Sequence, residues 1–313
     1  MIDGFLVVDK PSGITSHDVV AILRRTLKQK KIGHTGTLDP FATGVLPIAL
    51  GEGTKAIPFL DESIKEYQAV MKLGVATDTL DLTGNIVSQK DPSQLTAAMI
   101  HAVIPAFIGP VLQLPPMFSA IKQGGVPLYK LARKGETVER KEREVVIHSL
   151  VIDWLALPEI AFTVRCSRGT YVRTLADDIG QALGVGAHLT QLRRTASGCF
   201  TEADVFTLAD LPSTDPEKLL QSKFISINKA LAHLPELYLT ESGCRRIRNG
   251  IAPVPADIES GRCQLPAAGR VKLLFGGELQ AVCDILPAGQ EAGAVTMKLC
   301  RVFNLLSPLH TAV

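Results

Sequence analysis

Apolar and polar positions fall along this chain in blocks whose periods predict the elements. Phe5-Leu6-Val7-Val8 is a continuous apolar run closed by Asp9-Lys10-Pro11, which reads as a short strand stopped by the proline. Thr15-Ser16-His17-Asp18 offers a helix N-cap, and Val19, Val20, Ile22, Leu23 and Leu27 follow at helical spacing. Residues 45–50 form a second apolar run, bounded by Gly51 and Gly53, and predict a buried strand. Residues 65–73 alternate with period two and place Tyr67 within a strand. Residues 77–84 are polar and turn-rich, and 94–108 read as a helix. Residues 145–157 and 160–166 are strand-like, and 172–183 predict a helix ended by Gly184 and Gly186. Residues 188–195 fit either a basic strand or an ordinary surface edge.

Three stretches break the pattern. Residues 115–143 are irregular and basic, with the look of an insertion between core elements. Residues 208–215 read as a linker. After about residue 235, short apolar runs separated by Gly, Pro and Asn predict a small all-β module.

Composition narrows the class. With 313 residues, 46% hydrophobic and 20% charged, the chain suits a folded globule of one or two domains and argues against disorder. The net charge of +2 does not by itself call for a polyanionic partner. Its placement is uneven, however: Arg24 to Lys31, Lys130 to Arg143 and Arg245 to Arg248 each concentrate basic residues. Solvated helix faces explain any one of these clusters; three together favour an acidic partner such as nucleic acid. None of the six cysteines forms a Cys-x-x-Cys pair and no His stands at zinc-finger spacing, so they read as small core hydrophobes in a reduced, cytoplasmic protein with no metal site. No signal peptide and no bilayer-length apolar run of about 18 residues is evident.

The densest chemical signal is residues 33–47, a stretch of three glycines, two prolines and three threonines with one carboxylate, Asp39. Such a mixture predicts a loop that presents something. Asp-Pro also begins ordinary Asx turns. A strand tyrosine such as Tyr67 is often a packing residue. The Gly169-Thr170-Tyr171 turn suits either an anion site at a helix N-terminus or a plain cap.

Taken in order, these segments resemble the bacterial TruB-type tRNA pseudouridine-55 synthases over about residues 3–210. The matching motifs are Asp9-Lys10-Pro11-Ser12-Gly13-Ile14-Thr15-Ser16, Gly33 to Pro47, Lys65-Glu66-Tyr67, Thr77 to Gly84, Pro115 to Lys122 with Tyr129 and Arg133, Cys166 to Arg173, and His188 to Arg194. Phe118 departs from the pattern, standing where the family commonly has Tyr; it is assigned no hydrogen-bonding role.

The resemblance implies an α+β pseudouridine synthase core around a mixed, largely antiparallel sheet, with a cleft crossing its middle. It further implies a catalytic domain over 1–230 with an RNA-clamping insertion at about 110–143, and a small C-terminal β-barrel, a PUA-like RNA-binding domain, over 235–313. The implied activity isomerises uridine to pseudouridine in the T-arm of tRNA by base flipping, without cofactor or metal. Asp39 is the implied catalytic carboxylate, Arg173 its partner, and Tyr67 the ring that stacks on the flipped base. His34, Tyr171, Leu192 and Asp81 match positions that approach the substrate or support Arg173. An unperturbed Asp titrates at about 3.9, so Asp39 is expected ionised near neutrality unless desolvation dominates. The implied protein is a monomer that needs no protein partner and no membrane. Two alternatives stay open on these grounds: a guide-RNA-directed relative, and an RNA-binding or folding-assistance protein without obligatory catalysis. A nucleotide-binding enzyme is disfavoured, because the loop lacks Gly-x-x-x-x-Gly-Lys-Ser/Thr and Gly-x-Gly-x-x-Gly.

Overall fold

The computed structural model describes residues 1–211, 216–262, 264–287 and 295–305. In chain order the elements are β1 (Gly4–Lys10), α1 (Ser16–Thr26), β2 (Ile32–His34), β3 (Thr43–Leu50), α2 (Gly53–Ala56), β4 (Ile64–Leu73), β5 (Val75–Thr77) and β6 (Ile86–Gln89). There follow α3 (Ala97–Val103), β7 (Gly109–Gln113), β8 (Lys122–Gln123), β9 (Val126–Pro127), α4 (Leu128–Ala132), β10 (Arg143–Ala156), β11 (Glu159–Ser167) and α5 (Val172–Ala182). The remainder are β12 (Ala187–Ser197), β13 (Phe200–Thr201), β14 (Val205–Thr207), α6 (Pro216–Lys223), β15 (Ile225–Ser226), α7 (Ile227–Ala230), β16 (Glu236–Tyr238), α8 (Glu241–Arg248), β17 (Gly269–Phe275), β18 (Glu278–Leu286) and β19 (Thr296–Val302).

One large mixed sheet organises the chain, in the order β14-β1-β3-β12-β4-β11-β10-β7. Only β14 with β1 and β12 with β3 run parallel along this path; the other pairings are antiparallel. Both faces are covered at its β1–β3 end. Leu6 and Val8 of β1 and Leu46, Ile48 and Leu50 of β3 join the main core with α1 and α5, while Phe5, Val7, Val45 and Ala49 face the other way. That second face packs on Leu279, Val282 and Phe303 from the C-terminal part of the chain. Burial on alternate faces is the period-two geometry of a strand, and covering both faces turns the usual alternation into a continuous apolar run. This is why residues 5–8 and 45–50 read as buried strands.

The helices follow their local signals. α1 begins in a capping box: Asp18 N–H donates to Thr15 Oγ1 at 3.1 Å and Thr15 N–H to Asp18 Oδ2 at 2.8 Å. Its buried residues Ser16, Val19, Val20 and Leu23 share one face, at i, i+3, i+4 and i+7. α5 buries Val172, Leu175, Ala176 and Ile179, and ends where Gly184 and Gly186 take φ of 78° and 75°.

Several expectations are corrected. The helix read over 94–108 is α-helical only for Ala97–Val103; Pro105 has no N–H to continue the ladder, and Ile104–Phe107 tighten into a 3-10 turn. Residues 109–113, placed at the start of the insertion, form β7 at one end of the main sheet order. The segment read as a linker is packed: Leu208–Asp210 form a 3-10 turn and Leu211 is buried in the main core, while 212–215 lie outside the described residues. The C-terminal region is not all-β. Its four-stranded sheet, β16-β17-β18-β19, carries α8, which Thr240 caps and whose Cys244 and Ile247 are buried. Of the cysteines, Cys166, Cys244 and Cys283 are buried, Cys300 is half-buried and Cys199 is exposed; Cys263 lies outside the described residues. Among the described residues no helix is long and apolar enough to cross a membrane.

Candidate active site

The glycine-rich loop between β2 and β3 is held at many points, and Asp39 sits at its centre. The flanking Leu38 N–H donates to Ser16 Oγ at 2.9 Å, and Ser16 Oγ donates back to the Leu38 carbonyl at 3.2 Å. On the other side, the Pro40 carbonyl accepts from Gly13 N–H at 2.8 Å and Lys10 Nζ at 3.2 Å. Lys10 is fully buried, and burial lowers its pKa to about 8. Gly44 closes the loop with φ of 98°, and a Cβ there would collide with the backbone of Arg194 on the adjacent β12. Only glycine satisfies both conditions.

Arg173, on the first turn of α5, meets this loop. It is 3% exposed. Its Nη2 donates to Asp39 Oδ1 at 3.2 Å, and its Nε lies 2.9 Å from Oδ2 in an ion-pair contact that lacks hydrogen-bond geometry. Nη2 also donates to the Phe118 carbonyl at 2.8 Å. Nη1 donates to the Thr79 carbonyl at 2.7 Å and to Asp81 Oδ2 at 3.4 Å. Asp81 is in turn anchored through Oδ1, which accepts from Thr79 Oγ1, Thr83 N–H and Thr83 Oγ1 at 2.8, 2.9 and 2.6 Å. The turn that carries this knot holds Leu80 at φ of 61°. Leu80 donates to the Thr77 carbonyl at 3.1 Å and accepts from Leu189 N–H at 3.1 Å, which ties the turn to β12.

Above Asp39 opens a cavity of about 230 Å³ lined by Lys65, Tyr67, Tyr171, Arg173 and Leu192, with Ser119 and Ala120 from the insertion. Burial raises the Asp39 carboxyl above the ordinary aspartate value, against the pull of Arg173 and with Asp81 adding to the rise. Desolvation therefore prevails, the condition under which the sequence expectation of a freely ionised Asp39 weakens. Burial likewise raises the hydroxyls of Tyr67 and Tyr171.

Of the seven residues singled out in the sequence, Asp39, Tyr67, Arg173, Tyr171 and Leu192 line one cavity, and Asp81 stands behind Arg173. His34 does not line it. It belongs to β2, its Nδ1 is buried without a hydrogen-bond partner, and burial lowers its pKa, with Arg194 adding to that effect. The Tyr171 N–H at the α5 cap donates to Gln113 Oε1 at 3.0 Å. Sequence reading missed Lys65 as a lining residue and Arg194 as a buried one. Both stand two residues from a named site residue on the same strand, Tyr67 and Leu192 respectively, and period two puts such neighbours on one face.

The basic clusters divide by role. In the first, Arg24 Nη2 donates to the Ile32 carbonyl at 2.7 Å and Lys31 pairs with Glu52 at 2.8 Å, so both are structural. In the insertion, Lys122, Lys130, Arg133, Lys134, Lys141 and Arg143 are exposed, whereas Arg140 donates to the Pro115 carbonyl at 2.9 Å.

A family model described as TruB family pseudouridylate synthase (N terminal domain) matches residues 24–172, and one described as tRNA pseudouridylate synthase B C-terminal domain matches 173–232. The chain is 54% identical over 304 residues to the tRNA pseudouridine synthase B of Geotalea uraniireducens (strain Rf4), covering 97% of this chain and 98% of that one. It is 52% identical over 303 residues to the protein of that name from Geobacter sulfurreducens, covering 96% and 100%. Among solved structures it is similar to the crystal structure of a Cbf5-Nop10-Gar1 complex, with a TM-score of 0.72 and 28% identity, covering 98% of this chain and 86% of that one.

Proposed function

The chain belongs to the TruB family of pseudouridylate synthases and isomerises uridine to pseudouridine in tRNA; from that premise we propose that its target is the uridine at position 55 in the T-arm loop, and that Asp39 is the residue that reacts. The observation that carries this reading is a single carboxylate, gripped by Arg173 on the floor of a cavity walled by Tyr67, Tyr171 and Leu192.

The reaction detaches uracil from its ribose, turns it and rejoins it through carbon 5, with no net redox change. A base paired or stacked within a folded loop must first be extruded, which costs a few kcal/mol. The Tyr67 ring offsets part of that cost, since a stacked base is worth roughly 1–3 kcal/mol. Leu192 supplies an apolar wall, and Tyr171 packs against the base from the α5 side. Asp39 then acts as nucleophile or as base. Three paths suit its place: addition to the uracil ring, attack on carbon 1 of the ribose, or abstraction of a ribose proton. In each, Arg173 holds the carboxylate in register and stabilises its ionised form. Once the base has turned, carbon 5 must lose its proton, and the proposed acceptor is the Tyr67 oxygen in its phenolate form.

The exposed cations of the insertion would hold RNA phosphates. We further propose that residues 1–230 form the catalytic domain and that 235–313 form a PUA-like RNA-binding unit. The protein acts in the cytoplasm as a monomer, without guide RNA or protein partner. Support for unguided action is the insertion, whose Ser119 and Ala120 line the cavity itself.

Incubating the purified protein alone with an unmodified tRNA transcript, and mapping pseudouridine by position, tests the target uridine and the unguided action. Product at position 55 only is expected. Product elsewhere, or product only after adding guide RNA or partners, overturns the assignment.

A further inference from the structure

Arg194 is the largest fully buried side chain among the described residues, and no carboxylate pairs with it there. A guanidinium cannot shed its charge to escape burial, so the protein carries the cost of an uncompensated cation at this point. Its polar contacts are with backbone. Nε donates to the Val45 carbonyl at 2.7 Å and Nη2 to the Gly36 carbonyl at 3.3 Å. Those two residues bracket the loop that carries Asp39. The third nitrogen, Nη1, is buried and has no partner that meets hydrogen-bond geometry.

The sheet register shows which residue lies beside Arg194. Arg194 on β12 lies directly opposite Tyr67 on β4 in an antiparallel pair, and directly opposed residues project from the same face. Lys65, two residues before Tyr67, and Leu192, two residues before Arg194, line the cavity. Facing the Tyr67 hydroxyl are Arg194 from β12, Cys166 from β11 and Asp39 from the loop; of these, only Arg194 favours the ionised phenol. Lys65 adds a second cation: a Cβ built on Gly36 would stand 3.0 Å from Lys65 Nζ and 3.7 Å from Arg194 Nη1.

We propose that Arg194 is a positioning residue that couples the two halves of the site, tethering both ends of the Asp39 loop while its free Nη1 fixes the Tyr67 hydroxyl over the bound base. The proposal rests on the reading of Tyr67 as the base-facing residue. An arginine suits the task where lysine would not. Its planar fork holds two carbonyls and leaves a third nitrogen to turn toward the hydroxyl, while an ammonium is a single point. The missing carboxylate also acquires a reason: a counter-ion would neutralise the charge that Tyr67 senses.

The test titrates the Tyr67 phenol by NMR in protein labelled at tyrosine Cζ, in wild type, Arg194→Met and Arg194→Lys. The chain has four tyrosines, and Tyr67→Phe identifies the resonance. Titration of Tyr67 shifted upward in Arg194→Met is expected, with the other tyrosines unmoved. An unchanged Tyr67 titration overturns the proposal, whether or not the protein makes pseudouridine, so this failure is separate from failure of the functional assignment. Single-turnover rates add a second readout. Arg194→Lys is expected to lose about tenfold to a hundredfold, the equivalent of one charge-assisted hydrogen bond, and to lose clearly less when Tyr67 is already Phe. Losses that multiply independently would mean that Arg194 does not act through Tyr67. Should neither Arg194 variant fold, Tyr67→Phe must shift the Arg194 guanidinium nitrogen resonances; unshifted resonances refute the coupling.

Discussion

Replacing Arg173 with methionine removes the one cation shared by Asp39 and Asp81. The substitution keeps most of the side-chain length and deletes four hydrogen bonds and the ion-pair contact to Asp39. The Thr79 and Phe118 carbonyls lose donors. Asp81 keeps the three donors on its Oδ1, but Asp39 loses its ion-pair partner while the Asp81 charge still opposes its ionisation. Breaking a buried pair from one side costs about 3–5 kcal/mol, and because the Asp39 side chain is 32% exposed the lower end of that range applies. That is a large share of the roughly 5–15 kcal/mol that holds a typical domain. Arg173→Lys keeps the charge but offers three donors for five, and is expected to cost about 1–3 kcal/mol. Urea denaturation followed by circular dichroism measures both. The loss must also depend on pH. Without the cation, the Asp39 carboxyl rises further above its ordinary value. A carboxyl raised in the folded state binds its proton more tightly there than in the unfolded chain. The variant therefore recovers stability relative to wild type as pH falls through that raised value, and its deficit is smaller at about pH 5 than at about pH 8. A deficit under about 1 kcal/mol, or one that grows on acidification, would refute the view that Arg173 neutralises the half-buried Asp39 and the buried Asp81.

Three further outcomes are expected. Asp39→Asn should abolish pseudouridine formation while tRNA affinity stays within about threefold, a change under 1 kcal/mol; turnover near the wild-type rate, measured with the same transcript, excludes Asp39 as the reacting group. Because burial raises the Asp39 carboxyl, single-turnover activity should fall on acidification along a limb lying above the ordinary aspartate value of about 3.9, and a limb at or below that value contradicts the raised carboxyl. Each neutralising change at the exposed Lys130, Arg133 or Lys134 should reduce the slope of log affinity against log salt by about 0.7–0.9, with catalysis at saturating tRNA unchanged; an unaltered slope in filter binding would remove these residues from the RNA interface.

Much of the site was legible because its chemistry sits in short, odd-composition segments. A lone carboxylate among glycines and prolines, a tyrosine in an alternating strand and an arginine opening a helix are visible without coordinates. What brings them together is not local. The basic stretch holding Arg193 and Arg194 fits a surface edge as well as a strand, since interior strands seldom carry two arginines. The fold instead runs it between β3 and β4, where Asp9 and Glu202 pair with Arg193 and two backbone carbonyls receive Arg194. Those acceptors come from distant parts of the chain, so no window around residue 194 reveals them. Short strands such as β2, β5 and β6 escaped for a related reason: three or four residues carry too little periodicity to separate them from turns. α8 was hidden by its strongly polar sequence, in which few positions other than Cys244 and Ile247 mark the buried face.

The contacts that make the site span long stretches of chain: Asp39 meets Arg173 across 134 residues, and Arg194 reaches Val45 and Gly36 across 149 and 158. A nascent chain that has not yet released β12 from the ribosome thus has neither its central strand nor a closed Asp39 loop. β12 is made after both of the strands it joins, so the order β3-β12-β4 and the two Arg194 tethers of the Asp39 loop close only once residues 187–197 are available.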